Sequence, residues 1–342
     1  MNKIVSAEML VGKAATSATA DTAFLLLNND QIRTFLRLVK EGQDVMIADS
    51  RVINVQAPEL DLANIDIADG QMAGGIGATT RLGAGDEITP EFDGVNLAPE
   101  PYECRLEFEM TRLPLWNIEG AGLERTMDEI LATYYFSQLE EVAIHGDTAG
   151  ANPAGYATGM MTTTNGWITT AINDCHVYDH GGGYVRPHLF ETLLGSIPVK
   201  WIGSETERAQ FRFYVPSAIE RQYRYWLTNR GTNLGDLSLT ADGQLAYAGI
   251  PMVAVPKMHT DDAGVLTQSA TLSGLSYVLL CKPQNKLLGV NPPMRVFKHP
   301  RDDGKTMYIN LYGEYDTGFY NVDEVAVAVN VVPTVNPSVV AV

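Results

Sequence analysis

An α+β fold is predicted for this 342-residue chain by three features of its sequence. Leu123 to Ile144 carries helical periodicity, Tyr102 to Met110 alternates strictly between apolar and charged residues, and short apolar runs bounded by turn residues recur late in the chain. The hydrophobic content of 45% suffices for a real core, and the length fits one large domain or two to three smaller ones.

The elements follow in order. Residues 1 to about 27 are rich in Ala, Thr and Ser, the composition of an extended arm that gains order on a partner. Asn29 or Asp30 can cap a short docking helix, because Ile32, Phe35, Leu36 and Val39 share one face and Gly42 stands at its end. Between Asp69 and Pro101, Gly70, Gly74, Gly75, Gly77, Gly83, Gly85 and Gly94 accompany Pro90, Pro99 and Pro101, with few large apolar side chains. Such a segment cannot form its own core. In the strand that follows, Tyr102, Cys104, Leu106, Phe108 and Met110 point one way and Glu103, Arg105, Glu107 and Glu109 the other, as expected of the returning strand of a long hairpin.

The long helix places Leu123, Met127, Ile130, Leu131, Tyr134, Leu139 and Val142 near one face, with Glu124, Arg125, Asp128, Glu129, Glu140 and Glu141 largely opposite. At 1.5 Å per residue it spans roughly 33–36 Å. It stops at His145-Gly146-Asp147, before the small-residue loop Thr148 to Gly155. A second helix is expected over Pro216 to Leu227, with strands at Pro251–Pro256 and Tyr277–Cys281. Met294–Lys298 and Thr306–Leu311 flank an Asp303-Gly304 hairpin signal, and a final strand carries Val325, Val327, Val329 and Val331 on one face.

The formal charge of −17 argues against gripping phosphate backbones, which requires clustered Lys and Arg. Cys104, Cys175 and Cys281 are odd in number and widely spaced, so neither a disulfide framework nor a zinc knuckle is indicated. The N-terminus lacks the basic and apolar regions of a signal peptide, and Phe24 to Leu27 is too short to span a bilayer. Glu140 and Glu141 are adjacent on a helix and diverge, which favours a solvated or intersubunit face over paired acid/base chemistry. Cys175, His176, Asp179, His180 and His188 form a cluster of metal-capable side chains, but their spacing matches no zinc motif and Gly181 to Gly183 reads as a loop. Gly75-Ile-Gly77 and Gly83-Ala-Gly85 lack the third glycine and the strand–helix context of a dinucleotide fingerprint. Arg221, Tyr223, Arg224, Tyr225 and Trp226 can stack on nucleic acid, although such rings more often pack into a core. No catalytic residues, cofactor or metal are expected.

The order of glycine-rich arm, alternating strand, long helix, Gly146-Asp147 turn and Pro153-Ala-Gly155 loop resembles the major capsid proteins of tailed bacteriophages, the Hong Kong 97-type fold shared with encapsulins. Pro216-Ser-Ala-Ile219 and Gly249-Ile-Pro-Met252-Val253 are similar to that family's strand–helix entry and one of its strands. The resemblance implies an N-terminal arm with a short helix at 1–49 and an E-loop with flanking strands at 50–112. It implies a peripheral domain with its spine helix at 113–164 and an axial domain at 165–290. A peripheral-domain hairpin with its loop at 299–305 would occupy 291–319, and a closing strand and tail 320–342.

The same resemblance implies a non-enzymatic subunit, assembled in the host cytoplasm into hexamers and pentamers of an icosahedral virion head. That head would enclose double-stranded DNA without sequence-specific binding or membrane contact. Portal and scaffolding proteins are the implied partners, with a decoration protein where one is used; Met1 favours a scaffold encoded separately. Arg81, Glu87, Glu91, Glu140, Glu141, Arg301, Asp302 and Asp303 are the expected intersubunit contacts. No lysine lies between Lys40 and Lys200, so the E-loop cannot supply the amine of the isopeptide cross-link found in some members. The competing readings are an encapsulin-type shell for protein cargo and an enzyme with a site near Cys175 to His188.

Overall fold

The computed structural model describes residues 24–26, 45–56, 58–67, 90–109, 134–152, 156–228, 245–258, 276–300 and 306–332. The expected docking helix at 29–42, the glycine-rich residues 68–89, the first half of the long helix and the turn at 301–305 lie outside them.

Two sheets share one core. The larger has the order β6(His176–Asp179)-β13(Ala326–Val331)-β10(Ser276–Cys281)-β7(Arg212–Pro216)-β9(Ile250–Val255)-β8(Ala246–Tyr247). Its central strands β13, β10 and β7 are apolar at all positions but Arg212, Ser276 and Asn330 rather than alternating, as befits a sheet covered on both faces. Phe213, Val215, Val278, Leu280, Ala326 and Ala328 meet α4(Pro187–Ser196) and α7(Ser217–Thr228) through Leu189, Phe190, Leu193, Ile219 and Tyr223. Tyr214, Leu279, Cys281 and Val327 face the other way, onto Trp167, Ile168 and Ala171 of α3(Trp167–Asp174) and onto α2, the described helix at 134–145. The short α5(Val199–Ile202) and α6(Glu205–Arg208) link α4 to β7.

The final strand departs from the expected single face. Val325 and Val327 pack on the side of α2 and α3, whereas Val331 joins Ala326 and Ala328 on the side of α4 and α7. The register with β10 slips between Val278↔Ala328 and Ser276↔Val331, and Asn330 takes φ 57, so a bulge turns the strand over.

The second sheet has the order β1(Phe24–Leu26)-β11(Lys286–Pro300)-β12(Thr306–Phe319)-β5(Glu100–Glu109), with β2(Arg51–Asn54) parallel to β11. The expected pair of short strands thus extends into a long hairpin. Its ladder shifts between Asn291 and Arg295, where Pro292 and Pro293 have no N–H to donate. Leu288, Val290, Ile309, Leu311, Tyr315 and Phe319 close the shared core against α2.

β5 is the expected alternating strand, but its partner is β12, from Glu100↔Tyr315 to Glu109↔Thr306. The hairpin is instead β3(Leu60–Ile67) with β4(Pro90–Leu97), so the returning strand falls inside the stretch expected to be loop. In α2, Tyr135, Phe136, Leu139, Val142, Ala143 and Ile144 are buried, while Tyr134, assigned to the apolar face, is 53% exposed.

Candidate functional site

For a chain whose expected work is self-association, the relevant geometry is how its projecting and joining elements are held. The β3–β4 hairpin is rooted by Leu97, fully buried with Val55 and Leu287 and flanked by Leu60, Leu62 and Val95. Gly289 and Gly318 make room for it: a Cβ at either would stand 3.3 or 3.4 Å from the methyl carbons of Leu97. The Ala98 N–H donates to Asp316 Oδ2 at 2.9 Å, and burial raises the pKa of that carboxyl while this bond and one from Thr317 N–H oppose it.

The end of α2 is held by a backbone crossing. Gly166 N–H donates to Gly146 O at 2.7 Å, and Asp147 N–H to Met161 O at 2.7 Å. A Cβ on Gly146 would meet Thr164 O at 2.4 Å, and one on Gly166 would meet Gly146 N at 2.7 Å, so the chains pass where only glycine fits. Asp147 Oδ1 accepts from Ala149 N–H, Asn165 Oδ1 from Thr148, and Asn152 Nδ2 donates to Tyr156 O and Ala157 O. The described residues of the loop after the long helix therefore form a built turn, anchored to β12 by Thr317 Oγ1 donating to Asn165 O.

Of the expected intersubunit residues, Arg81, Glu87, Arg301, Asp302 and Asp303 lie outside the described residues, and Glu91 falls on β4 opposite Asp66. Glu140 is corrected: it is 2% exposed, 3.2 Å from Lys257 Nζ, and accepts the Met46 N–H at 2.8 Å within the same chain. An i, i+1 argument gives the angle between two side chains but not which of them faces the body. Glu141 is partly buried and turned instead to Tyr156, whose phenol is pushed up by burial and by that carboxylate.

The Cys175 to His188 cluster disperses. His180 ring nitrogens contact Tyr184 O at 3.0 Å and Tyr178 Oη at 3.4 Å, and Asp179 Oδ1 accepts from Gly181 N–H and Asn330 Nδ2. Burial pushes the Cys175 thiol up to about 12, away from the thiolate a metal would need. Among the described residues no three such side chains converge. Tyr223 is buried and stacks on Trp226, Arg224 pairs with Glu220 at 2.6 Å, and Arg221 and Tyr225 are the exposed members of that run.

Sequence reasoning missed Lys286, fully buried with its Nζ 3.7 Å from the Tyr214 ring centroid and 3.1 Å from Met46 O. It also missed the Asp49–Arg212 pair at 2.6 Å that adjoins it. Their partners lie far away in the chain, and no local pattern marks them. Among the described residues no helix is long and apolar enough to cross a membrane.

No protein-family model matches the chain. It is 23% identical over 323 residues, 94% of this chain and 98% of the relative, to a predicted prophage capsid protein, YqbE, of Bacillus subtilis (strain 168). Among solved structures, a chain of the satellite phage P4 procapsid, determined with its size determination (Sid) protein, matches at TM-score 0.55 and 13% identity. That match covers 88% of this chain and 99% of the other. The capsid of Myoviridae phage XM1 matches at 0.54 and 13%, covering 92% and 95%. The holo-SrpI encapsulin of Synechococcus elongatus PCC 7942 matches at 0.54 and 10%, covering 95% and 96%. Helices, sheets and their order along nearly the whole chain thus give this protein the Hong Kong 97-type capsid fold.

Proposed function

We propose that this chain is the major capsid protein of a tailed double-stranded DNA bacteriophage, forming hexamers and pentamers of an icosahedral head and acting by self-association rather than catalysis. The observation that carries the reading is the near end-to-end match to a prophage capsid relative on a capsid fold. The virion is its place, and portal and scaffolding proteins are its partners.

The hairpin supports an intersubunit role for Glu91. Its register pairs Asp66 with Glu91 and Asn64 with Asp93. Directly opposed like charges destabilise an isolated ladder, and cationic side chains of a neighbouring subunit relieve that cost.

The test is electron microscopy of the purified protein in negative stain, over rising salt that screens the acidic subunits. Closed icosahedral shells are expected; a chain that stays monomeric throughout overturns the proposal. An encapsulin-type shell is the second reading, favoured by the SrpI match. Particles from the native source that hold protein cargo and no DNA decide for it.

A further inference from the structure

Residues 45–50, comprising α1(Val45–Ala48) and the turn to β2, lie across a buried knot of charge. Met46 and Ile47 are buried, whereas Val45, Ala48 and Asp49 are partly exposed, so this segment runs from the surface to its contact with Lys286. Both polar groups of the Met46 backbone are gripped by charged side chains: its N–H by Glu140 Oε1 at 2.8 Å and its carbonyl by Lys286 Nζ at 3.1 Å.

We propose that residues 45–50 form a proton-sensitive strap, which is held more tightly as Lys286 loses its proton and loosens as Lys286 gains one. Among the described residues, groups from several elements face that amine. Asp49 comes from the strap, Glu140 from α2, Arg212 and Tyr214 from β7, Cys281 from β10, and the Trp167 ring from α3 at 5.4 Å. Asp49 and Glu140 each have a cation of their own, Arg212 at 2.6 Å and Lys257 at 3.2 Å. Among the described residues, two carboxylates thus stand against three cations around this site.

Desolvation lowers the Lys286 pKa to about 8 from its ordinary 10.5, against the pull of Cys281, Asp49 and Glu140. The closed strap therefore holds fewer protons than an open one in which the amine meets water. Raising pH favours closure and lowering it favours opening, by roughly tenfold between pH 7 and pH 9. The consequence is local. β2, which follows the strap, stays tethered to β11 from Leu287↔Arg51 to Val290↔Asn54. Opening thus frees residues 45–50 without unpairing β2 from the sheet.

The strap belongs to the single protomer, so its test does not depend on shells forming. Hydrogen–deuterium exchange by mass spectrometry on the full chain, corrected for intrinsic rates, compares peptides over 45–50 at pH 7 and pH 9. About tenfold greater protection at pH 9 is expected, with β10 unchanged. Lys286→Met should abolish the pH dependence while keeping the strap protected. Equal protection at both values, greater protection at pH 7, or a pH dependence that survives Lys286→Met overturns the proposal. If that variant does not fold, the wild-type comparison alone decides.

Discussion

Gly166→Ala tests the crossing at the end of α2. The added Cβ would stand 2.7 Å from Gly146 N, Ile144 C and Ile144 O. All three are backbone atoms, so no side-chain rotation relieves the clash; the two segments must separate, which stretches the 2.7 Å bond from Gly166 N–H to Gly146 O. Overpacking of this kind costs ~1–3 kcal/mol, and a weakened hydrogen bond ~0.5–1.5 kcal/mol. The reduced freedom of the unfolded chain returns ~0.4–1 kcal/mol, which leaves a net loss of roughly 0.5–4 kcal/mol. With an unfolding entropy of about 2.1 cal/mol/K per residue, a chain this long melting as one unit should lose about 1–6 °C in Tm. The assay is thermal melting followed by circular dichroism at fixed protein concentration, below the onset of assembly. Gly195→Ala in α4 is the control, because its Cβ meets nothing within 4 Å and alanine is favoured in a helix by ~0.5–1 kcal/mol. A Gly166→Ala protein that melts at or above wild type, or above the control, refutes the reasoning.

Three further outcomes are expected. Leu139→Asp should abolish soluble folding, since Leu139 is 4% exposed and the change forfeits ~1.5–3 kcal/mol of burial while adding an unpaired buried charge; soluble, cooperatively melting protein would count against the role given to α2. Burial pushes the Cys281 thiol up to about 12 from 9.0, so the folded state keeps a proton that the unfolded chain loses. That contribution is complete below about pH 9 and lost as pH rises toward 12, so urea midpoints at pH 8 and pH 10 should differ less in Cys281→Ala than in wild type, and equal differences would contradict it. Particles boiled in detergent should run as a single band near 37.3 kDa, because residues 41–199 hold no lysine for an isopeptide bond through the hairpin; a covalent ladder mapped to residues 60–97 would overturn this.

The sequence by itself determined the elements whose evidence is local. The helix expected over Pro216 to Leu227 appears as Ser217–Thr228, the strands at Pro251–Pro256 and Tyr277–Cys281 appear within a residue of their bounds, and the alternation from Tyr102 marks β5. Period, caps and turn residues act over a few positions and can be read there. Only the tertiary structure decided which elements meet. Alternation identified β5 as a strand but could not show that β12 is its partner and that β4 closes the hairpin, because ladder bonds join backbones irrespective of distance along the chain. Glu140 and Lys286 are charged residues that look solvated in sequence; their burial follows from α1, β7 and the region around Lys257 converging on them. Gly146 and Gly166 stand twenty residues apart, and the need for glycine at both exists only where their backbones cross.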